Sequence, residues 1–316
     1  MDVSEALVDY LADIKHLAKG TQRVYQQHLT VFAQWCTSQG VELSQVNNRN
    51  VQAFLEWLRA FHKPHKAGQT EISSHTLAGY VRNIWAFLYW CCDDEEYSIL
   101  VKPRTVKSIK MPRVERFIKM TFTDEEIEAL FNACQHESKE HEYKLRDTAI
   151  LAVLLDTGIR AAELRTLTIG DVFLARNVAE DSYITVMGKG RKQREIPLGN
   201  RARRALNRYM RQYRRSTVKT DPVFLSRHGG QLANSALKDI LLRLKDVSTL
   251  PADAQVNPHK FRHTWAARFI AGGGDVYDLS RLMGHSSITI TEGYLKSLSA
   301  KAVRTRKVHR SVLDDL

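Results

Sequence analysis

The stretch from Asn257 to Leu295, NPHKFRHTWAARFIAGGGDVYDLSRLMGHSSITITEGYL, constrains this chain more than any other. Asn257 can cap a helix whose first residue is Pro258, and His259 and Arg262, three apart, then project from one side of its first turns. Phe261, Trp265, Phe269 and Ile270 supply an apolar face, and Gly272, Gly273 and Gly274 stop the helix. A second helix, from about Val276 to Met283, ends at Gly284 and presents His285 on a turn. Tyr294 follows nine residues later. Taken singly, such a histidine is ordinarily a capping residue and such a tyrosine ordinarily packs. Taken together, these polar groups suit closure on a phosphodiester.

The order His259-Lys260-Phe261-Arg262-His263, then Met283-Gly284-His285, then Tyr294 resembles the C-terminal motif of tyrosine site-specific recombinases, the phage-integrase-like family. Phe261 and Met283 stand where that family usually has leucine, and both exchanges are apolar. A second string, Thr157-Gly158-Ile159-Arg160-Ala161-Ala162-Glu163-Leu164, matches the family's Thr-Gly-x-Arg-x-x-Glu-Leu signature. The resemblance implies Arg160, Lys189, His259, Arg262, His285 and Tyr294 as catalytic residues, with Glu163 as a supporting carboxylate. The fold it implies is mainly α with a small antiparallel β-sheet, arranged as a two-domain DNA clamp. Its layout is nearest to Xer-type and transposon-encoded two-domain members.

Length and charge agree with that expectation. A chain of 316 residues, 43% hydrophobic, suits two cores better than one. With 47 Lys plus Arg against 35 Asp plus Glu, its net charge of +12 points to a polyanion, nucleic acid before membrane. No apolar run approaches a membrane span and the N-terminus lacks a signal-peptide layout, so a cytoplasmic, nucleoid-accessible location is expected. Cys36, Cys91, Cys92 and Cys134 have neither zinc-knuckle nor disulfide spacing and read as buried thiols. The histidines of His136-Glu137-Ser138-Lys139-Glu140-His141 are five apart, on different helical faces, which suits a charged helix end better than a zinc site. No metal and no other cofactor is expected.

Residues 1–101 read as amphipathic helices near Ser4–Ala18, Thr21–Ser38, Asn47–Phe61 and Ser74–Asp93, with Thr21 and Ser74 as N-caps and Gly40 as a C-cap. In the second helix Val24, Leu29, Val31, Phe32 and Trp35 form the apolar stripe. A plain helical bundle fits this stretch equally well; the family resemblance implies a core-binding domain. Residues 102–119 carry Lys102, Arg104, Lys107, Lys110, Arg113, Arg116 and Lys119 with Pro103, Pro112 and one acid, Glu115, and read as a basic interdomain linker. Residues 120–296 form the expected catalytic domain and 297–316 a C-terminal tail, either an oligomerisation segment or a DNA-binding tail.

Within the catalytic domain, Thr123 and Glu126 have capping-box spacing, and an apolar helix runs from Arg146 to Gly158. Ser182–Met187 and Arg194–Leu198 have strand composition and can pair around a turn that carries Gly188-Lys189-Gly190-Arg191-Lys192. That turn lacks the Gly-x4-Gly-Lys-Ser/Thr of a P-loop. The resemblance implies that a hairpin lysine enters the minor groove at the cleavage point, Lys189 in the best position and Lys192 as its rival. From Arg201 to Arg215 there are seven arginines and no acid. Lys107, Lys110, Arg113, Arg191, Lys192, Arg201, Arg204 and Arg208 are therefore expected to meet DNA phosphates.

The expected activity is site-specific recombination of double-stranded DNA through a 3′-phosphotyrosine and a Holliday junction, by a homo-oligomer, in the family a tetramer on two sites. Two alternatives remain open from sequence: a type IB topoisomerase-like or telomere-resolving enzyme, and a catalytically idle DNA-binding regulator of the same fold.

Overall fold

A computed structural model describes residues 1–61, 71–114, 120–136, 141–175, 181–188, 192–285 and 291. The chain divides into two compact units, Met1–Phe117 and Ile118–Leu316.

The first unit is helical: α1 (Val3–Asp13), α2 (Lys19–Ser38), α3 (Asn48–Phe61), α4 (Ser74–Asp93) and α5 (Pro103–Ser108). Its core follows helical spacing. Leu29, Phe32 and Trp35–Cys36 of α2 are buried, as are Val51, Phe54, Leu55 and Leu58 of α3. Phe54 is the hub, edge-on to Phe32 at 5.1 Å and to Tyr80 of α4 at 5.7 Å. Val24 falls outside the stripe and is exposed.

Two caps lie elsewhere than the sequence predicts. Helix α2 starts at Lys19 rather than after Thr21, because the Gln22 side-chain Nε2 donates to the carbonyls of Lys15 (2.8 Å) and Leu17 (2.6 Å) and ties the entering chain down early. The N-cap of α4 is Ser73, whose hydroxyl accepts from the Thr76 amide at 3.1 Å, not its neighbour Ser74. Gly40 does sit just past α2 with φ of +64°, the left-handed conformation that glycine adopts without strain.

The basic segment is also less of a tether than its prolines suggest. Pro103 occupies the first turn of α5, where its missing N–H costs nothing, and Val106 and Ile109 are buried in the first unit's core. The Lys110 amide then donates to Asn48 Oδ1 at 2.9 Å. Residues 103–110 thus belong to the helical unit, and Lys107, Lys110 and Arg113 are exposed upon or just beyond it.

The second unit contains α6 (Asp124–His136), α7 (His141–Thr157), α8 (Ala161–Thr166), β1 (Val172–Phe173), β2 (Tyr183–Met187), β3 (Gln193–Pro197), α9 (Asn200–Tyr209), α10 (Ala236–Val247), α11 (Pro258–Ala271) and α12 (Val276–Met283). Helix α7 packs against α6, α9 and α11, so Ala149, Ile150, Leu151, Val153 and Leu154, on several of its faces, are all buried. The three strands form one antiparallel sheet in the order β1-β2-β3, with Thr185 opposite Glu195 and Met187 opposite Gln193. Alternation puts Ile184, Val186 and Ile196 into the core. The Gly188 amide closes the β2–β3 hairpin on the Lys192 carbonyl at 2.9 Å.

The Thr123–Glu126 capping box forms in both directions, at 3.0 and 3.2 Å. Glu126 has a second role, since its carboxylate takes the buried Lys260 ammonium at 3.1 Å while that ammonium lies 4.2 Å from the Phe122 ring centroid. The start of the unit is thereby pinned to the first turn of α11, helped by the Phe122 amide donating to Thr264 Oγ1 at 2.9 Å. Cys36, Cys91 and Cys134 are buried thiols and Cys92 is partly buried; burial pushes the first two up to about 12.

Candidate active site

Asn257 starts α11 by accepting the Lys260 amide at 3.0 Å, with Pro258 as the first helical residue. That start fixes the register: Phe261 turns into the core against Phe122, and Arg262 enters the protein only 5% exposed. Burying an arginine demands partners for a charge that does not titrate away. Arg262 Nη1 donates to the Gly158 carbonyl and Nη2 to the Met283 carbonyl, both at 2.7 Å, and Nη2 also lies 3.1 Å from His285 Nε2.

The second arginine arrives from α8. Arg160 is the N-cap residue of that helix: its amide donates to Glu163 Oε2 at 2.8 Å, and its guanidinium reaches Glu163 Oε1 at 3.0 Å. Its Nη2 donates to the Gly284 carbonyl at 3.1 Å, and the side chain keeps 36% exposure. Gly158, with φ of +57°, makes the turn between α7 and α8 possible; a Cβ there would lie 2.4 Å from the Trp265 ring.

A third arginine completes the cluster, and the sequence reading did not single it out. Arg194 of β3 forks onto Glu163 at 3.0 and 2.9 Å, while its Nε donates to the Leu282 carbonyl at 2.7 Å. The only signal is alternation, since Arg194 shares a strand face with Ile196. Leu282, Met283 and Gly284, consecutive carbonyls at the C-terminus of α12, therefore each accept from a different arginine. Cations suit that negative end of a helix. The result is a rigid turn that presents His285.

Arginine only donates, so His285 Nε2 accepts from Arg262, and Nδ1 carries the proton toward Thr291 Oγ1, 2.8 Å away. Thr291 is fully buried.

Glu163 is 7% exposed. Burial pushes its carboxyl up, but hydrogen bonds from Arg194 and from the Arg160 amide, with the guanidinium charges, outweigh that and hold it below the usual carboxylate range. A depressed carboxyl stabilises the fold fully above its unfolded value, about 4.3, and that contribution disappears as pH falls through the lower folded value. Glu163→Gln should therefore flatten the acid limb of the stability profile below about pH 4.5 while lowering stability at pH 7, as read by urea unfolding at a series of pH values.

An open groove beside the cluster is lined by Arg160, Lys192, Arg194, Arg281 and His285, with Glu195 and Asp278 as its acids. Among the sequence-predicted residues, the structure brings together Arg160, Glu163, Arg262 and His285 and sets Lys192 on the same groove. His259 stands exposed on the first turn of α11, its ring 6.5 Å from that of His263, and makes no hydrogen bond among the described residues. Lys189, Arg191 and Tyr294 lie outside the described residues. Arg201, Arg204 and Arg208 form an exposed stripe on α9, away from its buried face of Ala202, Leu206 and Tyr209. Two other arginines of that run turn inward: Arg203 donates to the Ala175 carbonyl, and Arg214 holds Asp221 and the Pro222 carbonyl. Among the described residues no group of three or more His, Cys, Asp or Glu side chains is placed to hold a metal.

Guanidinium groups converging with a histidine beside a cationic groove define a site for an anion of phosphate type. Residues 120–301 match the Phage integrase family, and residues 5–70 match the Phage integrase N-terminal SAM-like domain. The chain belongs to the phage integrase family and is a tyrosine recombinase. Curated relatives include the tyrosine recombinase XerC of Oceanobacillus iheyensis, 28% identical over 92% of this chain and 90% of that protein. The XerC of Actinobacillus pleuropneumoniae serotype 7 is 26% identical over 90% and 86%. Among solved structures, the XerH site-specific recombinase bound to palindromic difH substrate aligns with a TM-score of 0.73 at 18% identity, over 92% of this chain and 80% of that one. The Tn1549 transposon integrase with circular intermediate DNA aligns at 0.70 and 17% identity, over 96% and 98%. Both share the fold.

Proposed function

We propose that this protein is a site-specific recombinase that cuts and rejoins double-stranded DNA with Tyr294 as nucleophile. The observation that carries this reading is the convergence of Arg160 and Arg262 on one turn beside His285, with the Arg160 guanidinium still partly open to the groove. Attack on a phosphodiester concentrates negative charge on the non-bridging oxygens, and two permanently charged forks are suited to hold them. Glu163 keeps the Arg160 fork aimed.

Tyr294 gives up its phenolic proton to His259 as its oxygen bonds to phosphorus, and the bond from phosphorus to the 5′ oxygen breaks. Tyrosine is a weak nucleophile at an ordinary pKa of about 10 and needs such a cationic pocket and base. The leaving 5′ oxygen takes a proton from a hairpin lysine, Lys189 or Lys192. Lys189 is the first choice from its place in the hairpin turn; Lys192, its rival, lines the same groove as Arg160 and His285. The 3′-phosphotyrosine conserves the bond energy, so a 5′ hydroxyl of a second strand can reverse the step without ATP, and the chemistry runs on side chains alone.

The XerH and Tn1549 structures are of proteins in complex with DNA; we carry that partner to this chain, with a tetramer on two sites exchanging strands through a Holliday junction. Residues 1–101, with the 103–110 segment that packs in the same core, are proposed as the core-binding domain, 120–296 as the catalytic domain and 297–316 as an oligomerisation segment or a DNA-binding tail. No helix among the described residues is long and apolar enough to cross a membrane, and a cytoplasmic, nucleoid-associated location is proposed with the DNA partner.

The test starts with sites selected from a random DNA pool, two copies of which are placed on one supercoiled plasmid. Site-dependent exchange by the wild type, abolished in Tyr294→Phe with binding retained, is the expected result. Relaxation of plasmids without any site would favour a topoisomerase, and binding without chemistry a regulator.

Exposed lysines and arginines give a second, quantitative expectation. Arg201, Arg204 and Arg208 make no hydrogen bond among the described residues and leave their charge to solvent. If each neutralises one phosphate, their combined replacement by glutamine lowers the slope of log K against log salt by about 2.7. A filter-binding series across salt concentrations reads this directly. Lys107, Lys110, Arg113 and Arg191 are proposed as further phosphate contacts.

A further inference from the structure

We infer that Arg194 is a positioning residue for the cleavage step, an inference that rests on the recombinase reading above. Three observations carry it. First, every nitrogen of its guanidinium is engaged by the protein: Nη1 and Nη2 by the two Glu163 oxygens, Nε by the Leu282 carbonyl. Its side chain is only 11% exposed. It is a strut that ties the Glu163 carboxylate to the end of α12, whereas the Arg160 side chain keeps 36% exposure.

Second, the groups it joins belong to three elements that each supply the site. Glu163 on α8 holds both the amide and the guanidinium of Arg160. Leu282 precedes the Met283 and Gly284 carbonyls that Arg262 and Arg160 grip, and His285 follows at once. β3 is one arm of the hairpin that leads to Lys192. A single side chain thus sets α8, the α12 turn and the lysine hairpin at fixed distances.

Third, Gly284 is shaped around it. A Cβ at Gly284 would lie 3.0 Å from Arg194 Nη1, and the residue has φ of +62°. The Gly-His turn is packed against this guanidinium and not merely adjacent to it. Lysine cannot replace the strut, because a single ammonium does not fork onto two carboxylate oxygens while reaching a carbonyl from a separate nitrogen.

Single-turnover cleavage of a nicked suicide substrate tests this, together with DNA affinity and backbone amide hydrogen exchange. In Arg194→Met, cleavage at saturating DNA should fall about 100-fold, the scale of a small misplacement of reacting groups, with affinity changed less than about threefold. Exchange should accelerate at the Gly284 and His285 amides, which donate to Arg281 and Ser280, and stay unchanged in α7. Arg194→Lys should recover little of the lost rate. In a Glu163→Gln background the additional loss from Arg194→Met should shrink to a few-fold, because the strut has already lost its charged anchor.

Wild-type cleavage in Arg194→Met overturns the proposal, as does a loss confined to affinity, which would make Arg194 a phosphate contact. Unchanged exchange at Gly284 and His285 overturns it whatever the activity. Should the wild type form no covalent adduct on any selected site, the recombinase reading fails instead, and the exchange arm, which needs no DNA, keeps the two failures apart.

Discussion

Arg262→Lys should reduce the rate of covalent cleavage by about 10³-fold while DNA affinity falls less than tenfold, the scale expected when one donor to a developing oxyanion is lost. The wild-type guanidinium spends two nitrogens on the Gly158 and Met283 carbonyls and still lies beside His285. A lysine ammonium reaches at most part of that set. Because the substitution keeps the positive charge, it separates geometry from charge in a way that alanine does not. Thermal unfolding should show a loss as well, since Arg262 joins the turn after α7 to the end of α12. The cleavage deficit should persist at temperatures where the variant is fully folded, and a near-wild-type rate there would remove Arg262 from the proposed phosphate site.

The second large effect concerns stability. Asp147 is 1% exposed and lies between Arg146, whose Nε donates to it at 2.8 Å, and Arg243, whose Nη2 donates to its other oxygen. Arg146 also donates to the Leu225 carbonyl at 3.0 Å and stacks 4.6 Å from the centroid of the Tyr143 ring. Asp147→Leu leaves the 4%-exposed Arg146 without its carboxylate. Removing one member of a buried ionic group costs about 3–5 kcal/mol, which lowers the melting temperature on the order of 10 °C for a unit of this size. The triple replacement Arg146→Met, Asp147→Leu, Arg243→Met should recover most of that loss, because no charge is then left buried alone. Calorimetry on the single and triple variants checks both parts.

Much of the second unit was legible from residue patterns because its decisive signals are local. Asn257-Pro258 sets the start of α11, Thr123 and Glu126 close a capping box, and Gly158 and Gly284 occupy turns with positive φ. Arg160 and Glu163 were legible through the family signature that contains them, and the structure pairs them across three residues, with Arg160 as the N-cap of the short helix that carries Glu163. Arg194 was not legible for the opposite reason. It meets Glu163 across 31 residues and Leu282 across 88, and a strand arginine at an alternating position reads as solvated until the tertiary partners are known. Lys260 is a similar case: within a basic motif it looks like a surface lysine, yet Glu126 and the Phe122 ring hold it inside. The basic run after residue 101 misled in another way, because prolines that discourage a long helix start a short one, and Val106 with Ile109 is enough to dock it.

One claim underlies the rest: Arg160, Arg262, His285 and Tyr294 act on a single phosphate. The most direct measurement is to trap the protein on a selected site carrying a nick beside the scissile bond, digest the adduct and sequence the peptide that retains DNA. The expected product is one peptide joined through Tyr294 to a 3′ phosphate, with the partner strand ending in a free 5′ hydroxyl. Attachment through another residue, or to a 5′ phosphate, would contradict it.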